Sequence, residues 1–320
     1  MKTLCVIVMV ILWTAGDVFG QPDILKRKAL NAYTKVEPPA IFENRISLGK
    51  TSTATFQVTF SQNFPQNARS AVSYAADIWS YLLNSPHAIT INAVWEDMDD
   101  TTLLAEARPD SLFKDFPNAP FQNIWYPVAL AEMLSEQNLN GIGVEIQVTF
   151  NSEIDWYYGT DGNPPGGKSD LVSVALHEMA HGLGFYDSFS FSESTGEGSW
   201  GAIQYYAPGF ATVYDSSCIS GQNHNITLYR LTNISTYPNP SIALGDQLIG
   251  DNVYFDGVYT YWVYNDSLPK LSAPTSWAGG SSIAHLDESA FPEGNSNSLM
   301  SVSLADAECN ASVENGHCDG

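Results

Sequence analysis

With 320 residues and 44% hydrophobic content, the chain is long enough for one large domain or two smaller ones around a sizeable core. Thirteen basic residues against 35 acidic ones leave a net charge of −22. That balance argues against nucleic acid or an anionic membrane surface as partner and suits a soluble protein with a solvated acidic surface.

Residues 1–20 have the layout of a signal peptide: Lys2, an apolar run over 4–13, and the small residue Gly20 at the exit. The run is too short to span a bilayer comfortably, and no later stretch qualifies as a membrane span. Cleavage before Gln21 and secretion are therefore expected. Residues 21–50 are polar, carry Pro38-Pro39 and show no clear period. They read as an N-terminal lead-in or a short pro-segment.

Alternation over 55–60 predicts a strand, and Ala71, Tyr74, Ala75, Ile78, Trp79 and Leu82 recur at helical spacing over 67–83. Asn84-Ser85-Pro86 stops that helix. Residues 88–95 alternate again, 125–134 suggest a short helix, and 145–150 read as a further strand. This last strand is a candidate sheet edge on which an extended peptide could dock by strand addition. A Gly/Pro/Asn-rich loop over 159–168 leads into the next helix. Its flanking acids Asp155, Asp161 and Asp170 are read as a solvated loop in preference to a calcium site. From 190 onward the chain turns rich in Ser, Gly, Asn and Tyr, with short apolar runs at 228–231 and 258–263. The expected division is 1–20 signal peptide, 21–50 lead-in, 51–190 a strand-and-helix unit, and 191–320 a smaller strand- and loop-rich unit. The fold class is α+β, helices packed on a twisted mixed sheet.

Once Cys5 leaves with the signal, Cys218, Cys309 and Cys318 remain. An odd number in an oxidising compartment implies one pair and one leftover thiol, with Cys309–Cys318 the simplest local pairing. Asn225, Asn233, Asn265 and Asn310 head Asn-x-Ser/Thr sites, as in a secreted glycoprotein.

The segment 174–185 contains His177-Glu178-Met179-Ala180-His181. On a helix, positions i and i+4 share a face, so both imidazoles reach one metal ion, and Glu178 stands beside it as a general base. Ser169 or Asp170 offers an N-cap, and Gly182 and Gly184 end the helix. A catalytic zinc commonly has three protein ligands and an open position. Two residues compete for the third place. Asp187 follows the glycine turn at a spacing that returns a side chain to the metal. His285 lies far downstream, after the small-residue run 279–282. His87, His224 and His317 sit in polar turns and read as surface residues.

His177-Glu178-Met179-Ala180-His181-Gly182-Leu183-Gly184-Phe185, a long insertion, Gly280-Ser281-Ser282 before His285-Leu286-Asp287-Glu288, and then Leu299-Met300 resemble the leishmanolysin-like branch of the metzincin zinc endopeptidases. The resemblance covers 169–189 and 279–302. It implies a zincin-like metalloprotease fold, a Zn2+ cofactor held by His177, His181 and His285, Glu178 as catalytic base, and Met300 in a methionine turn beneath the metal. The implied partner is a peptide or protein substrate, with the oligomeric state open. Three features depart from the family pattern: a spacer of 104 positions (285 − 181) between His181 and His285, which must fold as an insertion, the competing Asp187, and a short polar chain after Met300 where such proteases continue into a helix. No cysteine lies between the signal and Cys218, so a pro-segment thiol that masks the metal is not available. The rival readings are a catalytically silent secreted binding or adhesion protein on the same fold, and a zinc hydrolase of a non-peptide bond.

Overall fold

The computed structural model describes residues 23–35, 52–201, 209–221, 229–257, 260, 267–293, 295 and 297–309. The signal peptide, most of the lead-in, Asn225, Asn265, Asn310, His224, His317, Cys318 and all of the 258–263 run but Thr260 lie outside them. The described residues form an α+β structure with one six-stranded mixed sheet and four helices.

The sheet contains β1 (Asp23–Lys35), β2 (Thr55–Phe60), β3 (Ala88–Glu96), β4 (Leu103–Pro109), β5 (Ile146–Asn151) and β6 (Ser303–Cys309). Their spatial order is β6-β1-β4-β5-β3-β2. β2, β3 and β5 pair in parallel, as do β1 and β6, whereas β4 runs antiparallel to both of its neighbours. The period-2 pattern of the central strands reflects their seat. In β5, Ile146, Val148 and Phe150 are buried beneath a helix while Gln147 and Thr149 face the other side.

Helix α1 (Gln66–Leu82) buries Ala68, Ala71, Val72, Ala75, Ile78 and Trp79, a stripe at three- and four-residue spacing. It ends where the Leu83 N–H donates to the Trp79 carbonyl, before Asn84-Ser85-Pro86. α2 (Val128–Ser135) is preceded by the two-residue strand Tyr126–Pro127, so the helix expected from 125 begins three residues later. Tyr126 and Pro127 pair with Phe113 and Leu112 as a short strand, and a proline disfavours helical backbone at the residue before it, so the helix starts only after Pro127. α3 (Leu171–Leu183) is buried at all thirteen positions. Asp170 caps it by accepting from the Ser173 N–H at 2.9 Å and the Ser173 hydroxyl at 2.6 Å. Trp79 Nε1 donates to the Leu176 carbonyl at 3.3 Å and ties α1 to α3.

α3 lies almost on the sheet backbone. A Cβ at Gly182 would stand 2.3 Å from Ile146 Cγ2, so only glycine fits the contact with β5. Gly184, at φ 130°, closes the helix by donating to the carbonyls of Ala180 and His181. α4 (Ile242–Leu248) and short strand pairs occupy the region after 190. The buried hydrophobic cluster runs without a break from Phe150 and Leu176 through Tyr214 and Phe255 to Leu286, Met300 and Leu304.

Three expectations change. The strand read from 145–150 is interior, flanked by β3 and β4, and so offers no docking edge. The lead-in contains β1, and the chain after Met300 continues as β6, paired with β1, in place of a helix. Cys218 is a buried free thiol, which changes no expectation, and the Cys309–Cys318 pairing lies outside the described residues.

Gly182→Ala is expected to cost about 1–3 kcal/mol, because the added methyl must displace Ile146 or lift α3 from β5. Urea unfolding measures it, and a midpoint equal to the parent's would contradict this packing.

Candidate metal centre

His177 and His181 lie one turn apart on α3, and their Nε2 atoms stand 2.9 Å apart. His285 approaches from the other side and places its Nε2 3.2 Å from that of His177. Among the described residues, these three form the one His/Cys/Asp/Glu group close enough to hold a metal ion, and all three are buried. In a tetrahedral site with metal–nitrogen bonds near 2.0–2.1 Å, ligand nitrogens sit roughly 3.3 Å apart. The observed separations are close to that spacing.

What aims the rings is a set of three backbone carbonyls. His177 Nδ1 faces the Leu299 carbonyl at 2.6 Å, His181 Nδ1 the Phe185 carbonyl at 2.7 Å, and His285 Nδ1 the Ser281 carbonyl at 2.9 Å. A carbonyl only accepts, so each Nδ1 carries the proton and each Nε2 is left with a bare lone pair. Three lone pairs at these distances repel one another unless a cation lies among them. Burial pushes His181 down to about 4, and it lowers His177 and His285 well below the ordinary imidazole value. All three are therefore neutral imidazoles at pH 7.

The segments that supply these carbonyls are themselves held in place by hydrogen bonds. Phe185 follows the Gly184 turn, and its own N–H donates to the Ala180 carbonyl. Ser281 sits in the 279–282 run, and the chain reverses between it and His285 through Ile283, held at φ 69°. A β-branched residue in that region costs about 1–3 kcal/mol and persists only when its surroundings impose it. Here the Tyr214 hydroxyl donates to the Ile283 carbonyl at 2.8 Å, and the Ile283 N–H donates to the Ser272 carbonyl at 2.7 Å. Leu299 belongs to the 3-10 turn Ser298–Met300, whose Met300 carbonyl accepts from the Leu286 N–H at 2.7 Å. The turn that orients His177 is thus bonded to the residue next to His285.

Glu178, next to His177 on α3, is fully buried, and neither carboxylate oxygen has a hydrogen-bond partner among the described residues. Burial, then the negative charges of Asp23 and Glu106, hold its carboxyl well above the usual range. A divalent cation at the three imidazoles would oppose that shift.

Asp187 is not part of the histidine group. Its Oδ1 accepts from the Phe189 N–H at 2.6 Å, and burial with the neighbouring Asp23 and Asp215 raises its carboxyl well above the usual range. The candidate calcium acids are dispersed. Asp155 pairs with Lys168 at 2.6 Å, Asp161 accepts from Tyr157 and Asn163, and Asp170 caps α3. His87 stands half-buried, outside the cluster.

Sequence reasoning passed over several contributors. Asp215 accepts from the Ser188 N–H at 2.9 Å, the Ser188 hydroxyl at 2.5 Å and the Thr212 N–H at 2.7 Å, which fixes the chain after α3. Asp23 brings its Oδ2 to 3.2 Å from His181 Nδ1, although that ring's proton is directed to Phe185. The three orienting carbonyls carry no side-chain signal at all.

A family model described as SPBPB7E8-like matches residues 31–196, a stretch that contains His177, Glu178 and His181 but not His285. No curated protein and no solved structure matches the chain.

Exposed imidazoles begin to compete with a metal for protons below about pH 6.5. With ligands already held neutral, metal affinity should stay nearly level from about pH 8 to 5.5 and fall as the pH approaches His181's value of about 4. A competition titration with a chromophoric chelator measures this. A loss of about tenfold or more between pH 7 and 6 would contradict the assigned protonation.

Proposed function

This chain belongs to the SPBPB7E8-like family, and we propose that it is a secreted zinc metallopeptidase. One observation carries the reading: three imidazole lone pairs converge beside a buried carboxylate with no hydrogen-bond partner among the described residues. A purely structural histidine cluster would need no such acid, and leaving one buried and unbonded costs stability.

His177, His181 and His285 would hold the metal, a set of neutral nitrogen ligands that suits zinc. Zinc would supply a Lewis acid and lower the pKa of a water at its open position. Glu178 accepts a proton from the attacking water and returns it to the leaving amine. Burial raises its proton affinity, the direction that lets a carboxylate hold the proton it has taken until it is passed on. The resemblance to the leishmanolysin-like metzincins supplies the choice of a peptide bond and of a zincin-like fold. In that reading the buried Met300 is the turn methionine. Asp187 acts outside the ligand set, on the chain that follows α3.

Glu178→Gln is expected to keep one metal per chain and to lose about 10²-fold or more in turnover, the scale of a lost general base. Metal analysis and casein hydrolysis on the same preparation measure both. Near-parental hydrolysis by a folded, metal-loaded variant would overturn Glu178's role. Hydrolysis of small esters but not casein would move the reading to a non-peptide bond.

A further inference from the structure

Two of the three imidazoles share a helix, and the third does not. One turn of α3 fixes His177 against His181, whereas His285 arrives far later in the chain on a separate piece of backbone. Backbone pairing seats that piece on both sides. The Ser272 N–H donates to the His285 carbonyl at 2.8 Å, the Asp287 N–H donates to the Lys270 carbonyl at 3.0 Å, and Leu286 bridges Leu271 on one flank and Ser301 on the other. These bonds hold the extended stretch from His285 onward. The turn before it, which carries the Ser281 carbonyl to His285 Nδ1, needs Ile283 at φ 69°. Nothing in an isoleucine side chain favours that conformation. The Ile283 carbonyl takes its hydrogen bond from a side chain, the Tyr214 hydroxyl, at 2.8 Å.

Tyr214 lies between the second and third histidines in sequence, just ahead of the 3-10 turn Asp215–Ser217. It is buried, and burial holds its phenol well above the usual value, so the hydroxyl remains a donor. Its ring packs tilted against Phe185, 4.9 Å between centroids, and against Phe255 at 5.1 Å. Phe185 is the residue whose carbonyl aims His181. One side chain therefore contacts both the residue that orients His181 and the turn that presents His285. Asp215, next in the chain and bonded to Ser188 and Thr212, keeps that side chain's own backbone in place.

We propose that Tyr214 is a positioning residue of the metal centre: its hydroxyl holds the Ile283 turn that presents His285, and its ring keeps that turn in register with Phe185 and so with His181. The inference rests on the metal reading of the three imidazoles and is independent of which bond the protein hydrolyses. Removing the hydroxyl leaves the carbonyl of Ile283, a residue at 0% exposure, without its donor. A buried acceptor without a partner is costly, and so is the left-handed backbone of a β-branched residue. Relaxing Ile283 to negative φ relieves both. It also moves the Ser281 carbonyl relative to the His285 ring, and His285 Nε2 leaves its place beside His177.

The test is a double-mutant cycle on the full chain: the parent, Tyr214→Phe, Ile283→Gly and the two together. Phenylalanine keeps the ring against Phe185 and Phe255 and deletes only the hydroxyl. Glycine adopts positive φ without penalty, so at position 283 it needs no anchor. Two readouts are taken at pH 7, zinc affinity by competition with a chromophoric chelator and the visible bands of the cobalt-loaded chain, which weaken as a four-coordinate ion takes up extra water. Tyr214→Phe is expected to lower zinc affinity about tenfold or more, the scale of a lost ligand-orienting partner, and to weaken the cobalt bands. In the Ile283→Gly background the same substitution should cost about threefold or less, because the two positions are coupled. An equal loss in both backgrounds, or parental affinity and bands in Tyr214→Phe, would overturn the proposal. Should Tyr214→Phe not fold, the double variant decides: folding with the cobalt bands of Ile283→Gly supports the role, and failure to fold overturns it. A parent chain that takes up no zinc would overturn the metal centre itself, and this role with it.

Discussion

Three hydrogen bonds from imidazole Nδ1 to backbone carbonyls set the character of this molecule. A histidine on a helix can present either nitrogen, and its ring can turn. Here the carbonyls of Leu299, Phe185 and Ser281 take one proton each and leave three Nε2 lone pairs facing a common point. Each carbonyl comes from a different piece of backbone, so the centre requires those pieces to be placed together. The turn after α3 supplies one, the segment before His285 supplies the second, and the 3-10 turn Ser298–Met300 supplies the third.

Much of the surrounding structure follows from holding those pieces in register. Gly182 lets α3 sit against Ile146, and Gly184 turns the chain soon enough for Phe185 to reach back to His181. Ile283 accepts a left-handed backbone conformation, and Tyr214 anchors its carbonyl. A strained β-branched residue two positions before His285 persists only because its surroundings impose it. Asp215 binds Ser188 and Thr212 and so fixes the exit from α3 by a polar network inside the core. The site is therefore supported mainly by residues that would never touch a metal.

The sequence made some of this legible and not the rest, for physical reasons. β2, β3, β5 and α1 announce themselves because large apolar side chains such as Ile89, Ile91, Trp79 and Phe150 repeat at the period of the element. β4 does not, since its inward positions are largely alanines, Ala105 and Ala107, which carry little hydrophobic contrast. β1 is masked by Lys26-Arg27-Lys28, and its strand character comes from pairing with β4 and with β6, which lies at the far end of the chain. Periodicity cannot report partners that distant, nor that β4 would separate β5 from the sheet's edge. The metal helix is legible because i, i+4 spacing is itself a geometry. The spacing of Asp187 pointed equally well at the metal, yet the structure turns that side chain toward Phe189 and gathers His285 into the cluster. Backbone carbonyls leave no trace in a sequence, so the interactions that aim the rings could only be found in three dimensions.

X-ray absorption at the metal edge of the loaded, purified chain tests the arrangement most directly. Three imidazole nitrogens at about 2.0–2.1 Å, with the outer-shell scattering of the rings, are expected for zinc at His177, His181 and His285. A first shell with two imidazoles and a carboxylate oxygen, or with sulfur, would contradict the convergence of the three Nε2 atoms on one ion.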